Sequence, residues 1–127
     1  MMLAWMATGM ALFATPDETI SAFADPAATY VVTELAGAPF KALATLTFPE
    51  PGLVRGRAPC NAFTGSQNVP YPWIDIGPLM ATKAACPDLA AENAFLGFLQ
   101  SATMVEVSGP VLILTNEAGE KLVARAQ

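Results

Sequence analysis

The sequence predicts a mainly β domain of the α+β type: a small antiparallel sheet that curls into a barrel-like shape, with one covering helix over about residues 87–101. Three features predict it. Short runs rich in β-branched and aromatic residues recur from Thr29 onward, divided by Pro and Gly. After the N-terminus, a single stretch shows an apolar arc at helical spacing. The intervals between strands are too short for the crossovers of a dozen or more residues that parallel pairing demands. At 127 residues the chain forms one domain, since two would each be too small to bury a stable core.

The elements follow in order. Residues 1–14 (MMLAWMATGMALFA) carry no charged side chain. They fall short of the roughly 20 apolar residues that span a bilayer and read as a signal-peptide core, with an outer limit near residue 24. A basic n-region is missing, and cleavage after Ala14 would leave Leu12 at −3. The alternative is a buried N-terminal strand or helix. Asp17 and Glu18 give a polar start to a mature chain, and no Cys near the boundary would take a lipid anchor. The expected location is periplasmic or secreted.

Thr29 to Leu35 (TYVVTEL) reads as a strand, ended by Gly37-Ala38-Pro39. Leu43 to Phe48 alternates Ala44, Leu46 and Phe48 against Thr45 and Thr47, the period of a half-buried strand. Pro49-Glu50-Pro51-Gly52 turns the chain into Leu53–Arg57, completing a hairpin. Residues 59–65 (PCNAFTG) read as irregular. Trp73 to Ile76 is a short strand after Pro70 and Pro72, which confine that approach to an edge or loop. Pro87 suits the first helical position, and Asp88 complements the helix dipole. Leu89, Phe95, Leu96 and Leu99 share one arc, with Glu92 in its middle. Strands at 104–107, 111–115 and 121–125 close the chain, divided by Gly109-Pro110 and by a turn at 116–119.

Composition excludes several functions. Apolar residues make up 54 %, so the chain is no disordered tail. Six Lys and Arg against 11 Asp and Glu give a net charge of −5, without the basic stripe a nucleic-acid binder needs. The sequence has no His, hence no Ser-His-Asp triad, no Cys-His pair and no His-ligated metal. Two Cys cannot build a four-thiolate zinc site. No cofactor, no metal and no enzymatic activity are expected.

Pro59-Cys60-Asn61-Ala62-Phe63-Thr64-Gly65, then Thr82-Lys83-Ala84-Ala85-Cys86, then Glu92 and Phe95-Leu96, resemble the META domain of HslJ-like bacterial envelope proteins. That family carries a G-C-N-x-[FY]-x-G segment, a T-R-M-x-C segment and a helix with Glu ahead of an aromatic-Leu pair. Its closing hairpin is matched by Gly109 to Leu114. Pro59 stands in place of the family's Gly, Lys83 of its Arg, Ala84 of its Met, and Tyr30 of its early Trp. The resemblance covers about residues 29–126. It implies a small barrel-like domain without established enzymatic activity, associated with heat-shock or envelope-stress roles.

Specific residues carry further expectations. Cys60 and Cys86 read as a structural disulfide in an oxidising compartment; two buried thiols and a redox-active pair are the alternatives. Asn61, Gly65 and Thr82 belong to motif or turn positions, with Asn61 bonding nearby backbone and Gly65 at positive φ. Glu92, inside an apolar arc, calls for an ion pair with Lys83 or for backbone hydrogen bonds. Tyr71 and Trp73 read as packing residues or as an exposed aromatic platform, and Met80, Phe98 and Met104 as core filling. The function these readings favour is a non-catalytic envelope domain, stress-associated or protein-interacting, with an envelope protein as partner. A small hydrophobic-ligand carrier and a protease-inhibitor-like module are the alternatives. A monomer without a membrane span is expected.

Overall fold

A computed structural model describes residues 16–127. Nine strands form one antiparallel sheet: β1 (Tyr30–Leu35), β2 (Ala38–Pro39), β3 (Thr45–Thr47), β4 (Gly52–Arg57), β5 (Ala62–Gln67), β6 (Met80–Ala81), β7 (Ala102–Ser108), β8 (Val111–Asn116) and β9 (Lys121–Ala126). The single α-helix among the described residues, α1, runs Leu89–Ser101. The sheet order is β6-β5-β4-β3-β1-β9-β8-β7, with β2 paired to β1.

Alternation decides which side of each strand faces inward. Ala44, Leu46 and Phe48 are all fully buried, as their period requires. The same holds for Leu112 and Leu114 on β8 and for Leu122 and Ala124 on β9. Hydrophobic burial at these positions is the dominant stabilising term, about 1.5–3 kcal/mol for each large side chain. Register shifts between Val32 and Glu34 on β1, and between Ala102 and Met104 on β7, increase the local bend. Gly56 marks the tightest approach in the β3–β4 pair: a Cβ there would lie 2.0 Å from the Thr45 carbonyl oxygen.

The two ends of the sheet are joined through residues 72–82. The Val105 amide donates to the Pro72 carbonyl and the Ile74 amide to the Thr103 carbonyl, which ties this stretch to β7. Further on, the Gly77 amide donates to Ser66 and the Thr82 amide to Ala62, which ties it to β5. The expected strand at 73–76 is thus present as single bridges, Trp73 to Met104 and Ile76 to Gln67. The Tyr71–Pro72 peptide is cis.

Helix α1 places Phe95 against Phe40 and Phe63, with ring centroids 6.1 and 5.6 Å away. Phe98 and Leu99 follow it into the core. The N-terminal described residues enter the same core through Ile20, Ala24 and Ala28.

Several expectations need correction. The helix begins at Leu89, because Pro87 and Asp88 form a turn closed by the Leu89 amide on the Cys86 carbonyl. Leu89, at the free end of that arc, is exposed. Of residues 59–65, expected to be irregular, 62–65 belong to strand β5, which runs on to Gln67 and pairs along its full length with β4. Met80 is 74 % exposed and Met104 also faces solvent, so neither fills the core, whereas Phe98 does. Met80 sits on the two-residue edge strand β6, and Met104 alternates outward from buried Val105. The signal-peptide-like segment 1–14 lies outside the described residues.

Candidate functional site

Two constellations emerge from the residues singled out in the sequence. The first is a polar clasp at the start of β5. Cys60 and Cys86 form a disulfide with Cα atoms 5.6 Å apart. Beside it lies Asn61, only 3 % exposed. Its Oδ1 accepts from the Thr82 hydroxyl at 2.8 Å and the Ala84 amide at 2.7 Å. Its Nδ2 donates to the Ala84 carbonyl at 2.9 Å and to Glu92 Oε2 at 2.6 Å. Glu92 Oε1 in turn accepts from the amides of Cys60 and Asn61 at 2.9 and 2.8 Å.

These bonds resolve the questions the sequence left open. Glu92 is held by backbone amides and the Asn61 carboxamide; Lys83 is not among its partners, and it is exposed. The expected ion pair is thereby replaced. Amides fixed by β5 and its preceding turn satisfy the carboxylate without also desolvating an ammonium group. Asn61 bonds across more than twenty residues of sequence instead of within its own turn. Gly65 does not have the positive φ expected of it: it is an ordinary strand position, and the positive-φ glycines are Gly37, Gly52, Gly109 and Gly119. Its smallness matters for another reason, since a Cβ would come within 2.7 Å of Leu79 Cδ2. Thr82 is the third member of the clasp through its hydroxyl.

A second constellation lies on the outer face, where the 72–77 stretch meets β7. Trp73 is 56 % exposed and pairs with Met104 across the bridge. Tyr71 is half-buried: its ring stacks on Phe23 at 4.2 Å, and its hydroxyl accepts from the Val107 amide at 3.1 Å. An aromatic platform of Tyr71 and Trp73 therefore becomes a pinned Tyr71 beside a presented Trp73. The sequence reading missed Met104 and Phe23 as its neighbours. The alternation of Met104 and Glu106 against Val105 and Val107 carried that signal for Met104.

A cleft of about 370 Å³ runs beside this patch, lined by Tyr71, Pro72, Met104, Glu106 and Lys121 among others. An apolar cleft of similar size, about 370 Å³, lies over β5 and β6 between Phe63 and Met80. At the N-terminal end, burial raises the Asp17 carboxyl. Hydrogen bonds from the Ser21 hydroxyl, the Thr19 hydroxyl and the Thr19 amide outweigh it, leaving the group below its ordinary value. Among the described residues no cluster of three or more Cys, Asp or Glu could hold a metal ion. No helix among them is long and apolar enough to cross a membrane.

A curled antiparallel sheet with one helix, clasped at the Cys60–Cys86 corner, defines a class of small β domain. The META domain family model matches residues 23–127, and the chain belongs to that family. An NMR structure of a protein from Burkholderia xenovorans is 23% identical with a TM-score of 0.66, covering 90% of this chain and 92% of that one. A crystal structure of a duf4847 family protein from Bacteroides vulgatus ATCC 8482 is 15% identical with a TM-score of 0.64, covering 77% and 90%. At these identities the likeness is one of fold. No curated protein matches the chain.

Proposed function

We propose that this META-domain chain is an exported, non-catalytic binding module that works on envelope proteins, in a stress-associated role. The observation that carries the reading is a division of labour among its side chains. The polar side chains that the sequence singled out, Asn61, Thr82 and Glu92, are spent on structural hydrogen bonds. Meanwhile Trp73 and Met104 are held out to solvent on a backbone fixed from both sides. Exposed aromatics on rigid supports are the usual anchors of protein interfaces. The disulfide supports export, because such bonds persist in oxidising compartments.

The test is photo-crosslinking in envelope extract under oxidising conditions, with the photoreactive residue at position 73 or at position 55. Adducts of defined mass at 73 and none at 55 are the expected outcome. Equal labelling at both positions, or none, would discard the module. A second reading, a carrier of small apolar ligands, is favoured by the cleft between Phe63 and Met80, whose volume is in the range of ligand pockets. Saturable quenching or displacement of a hydrophobic dye by Met80→Glu would favour it. The rigid 70–73 loop is also the segment a protease-inhibitor-like module would present.

A further inference from the structure

We propose that the Trp73–Met104 face receives a cationic segment of a partner protein, bearing Arg or Lys among apolar residues. This rests on the binding-module reading above and names the chemistry of its partner.

Charge around the patch is more acidic than basic. Ile74 and Ile76 are buried, so alternation turns Trp73 and Asp75 outward together. On β7, Met104 and Glu106 share the exposed side. Glu18 is exposed and adjacent, its carbonyl accepting from the Tyr71 amide at 2.8 Å. Glu106 thus lines the cleft beside the aromatic and thioether surface, with exposed Asp75 and Glu18 on the backbone that flanks it. Lys121 is the one basic side chain lining the cleft, and its ammonium reaches the Thr115 hydroxyl at 3.5 Å. Arg55 and Arg57 lie on β4, away from β7 in the sheet order.

The mode of binding is constrained too. On its outer edge, β7 already pairs with residues 72–74, and the Val107 amide is taken by Tyr71. A partner therefore cannot add here as a strand and must be read by side chains. An exposed indole face next to carboxylates suits a guanidinium or ammonium, through ring quadrupole and charge together. Two copies joined through this same face would set its carboxylates against each other, which argues against a symmetric pair.

The experiment titrates the full chain, followed by NMR, with an acetylated and amidated peptide alternating Arg and Leu. Twins carrying Gln or Glu in place of Arg serve as controls. The Arg peptide should shift the amides of 104–106 and 115, and Trp73→Ala should weaken it about five- to tenfold. Glu106→Gln should weaken it a few-fold, and raising the salt should weaken it with the wild-type chain, which needs no variant to fold. Binding of the Gln twin as tight as the Arg peptide would overturn the cationic class while leaving a binding module standing. Shifts centred on Arg55 and Arg57, or sedimentation showing a dimer that buries the face, would overturn the proposal. Absence of binding by the Arg peptide would overturn it as well; the crosslinking at position 73 then decides separately whether the module survives.

Discussion

Asn61 shows how one buried residue can organise a corner of the fold. Its carboxamide is saturated on both sides, and each partner is itself buried or fixed by backbone. Removing it strands Glu92, a carboxylate 4 % exposed, with one donor fewer. Asn61→Ala should therefore cost about 2–3 kcal/mol in urea unfolding, more than the net worth of a single hydrogen bond. Glu92→Gln should cost about 1–3 kcal/mol, because its NH2 would face amide donors. Lys83→Met should stay within about 0.5 kcal/mol, as befits a surface position; a large loss there would restore the ion pair as the anchor. Asp17 gives the pH-dependent counterpart. Its carboxyl lies below its ordinary value in the folded chain, so its contribution is present above that value and is lost as pH falls through the lowered one. The difference in melting temperature between wild type and Asp17→Asn should be largest near neutral pH and vanish in strong acid. A difference that grows on acidification would contradict the sign.

Strands and helix respond to opposite demands at their glycines. Gly56 on β4 would, as Ala, drive a Cβ into the Thr45 backbone, which cannot swing aside like a side chain. Gly56→Ala should destabilise by about 1–3 kcal/mol, as overpacking does. Gly97 on α1 has nothing within 4 Å of a would-be Cβ, so Gly97→Ala should stabilise by about 0.5–1 kcal/mol through helix propensity. Thermal melts of the two variants should move in opposite directions. These sites also mark where the elements could be read from sequence. The β3–β4 hairpin was legible because Ala44, Leu46, Phe48 and Val54 keep strict period 2 and a Pro-Gly turn separates them. Strand β5 was not, since Thr64, Gly65, Ser66 and Gln67 hold no apolar period. Pairing with β4 makes that strand, and its own propensities do not. Met104 was misread because its apolar type was weighed above its place in the strand, where alternation with Glu106 against Val105 and Val107 turns it outward. The clasp was legible as a set of positions, Cys60, Asn61, Thr82, Cys86 and Glu92. Its wiring was not, because partners separated by more than twenty residues leave no local pattern.

At the scale of the whole molecule, the barrel-like shape depends on one long excursion, from β5 through 72–82 to α1, returning to where it began. Two devices fasten that return: a covalent one, Cys60–Cys86, and a hydrogen-bonded one, Asn61 with Thr82, Ala84 and Glu92. The disulfide closes a sequence separation of 26, which stabilises the fold by about 3.5 kcal/mol in the chain-entropy model. That gain comes from restricting the unfolded chain, whereas the clasp acts in the folded state by satisfying buried polar groups. With the clasp intact, Cys60→Ser/Cys86→Ser should fold, with stability reduced by a few kcal/mol. Without the covalent tie, however, residues 82–88 are held to β5 mainly by Asn61 and by the Thr82 amide on the Ala62 carbonyl. Asn61→Ala in the Cys-free background should then cost more than in the disulfide-bonded chain, with a coupling of about 0.5–3 kcal/mol. Urea unfolding of the four proteins, wild type, each change and both together, measures this cycle. Strict additivity would mean that the two fastenings act on separate regions and that the corner is not a single mechanical unit. The combined variant should also gain hydrogen exchange first at 82–88 while β8 and β9 stay protected, because their ladder and the buried Leu112, Leu114 and Leu122 do not depend on the excursion.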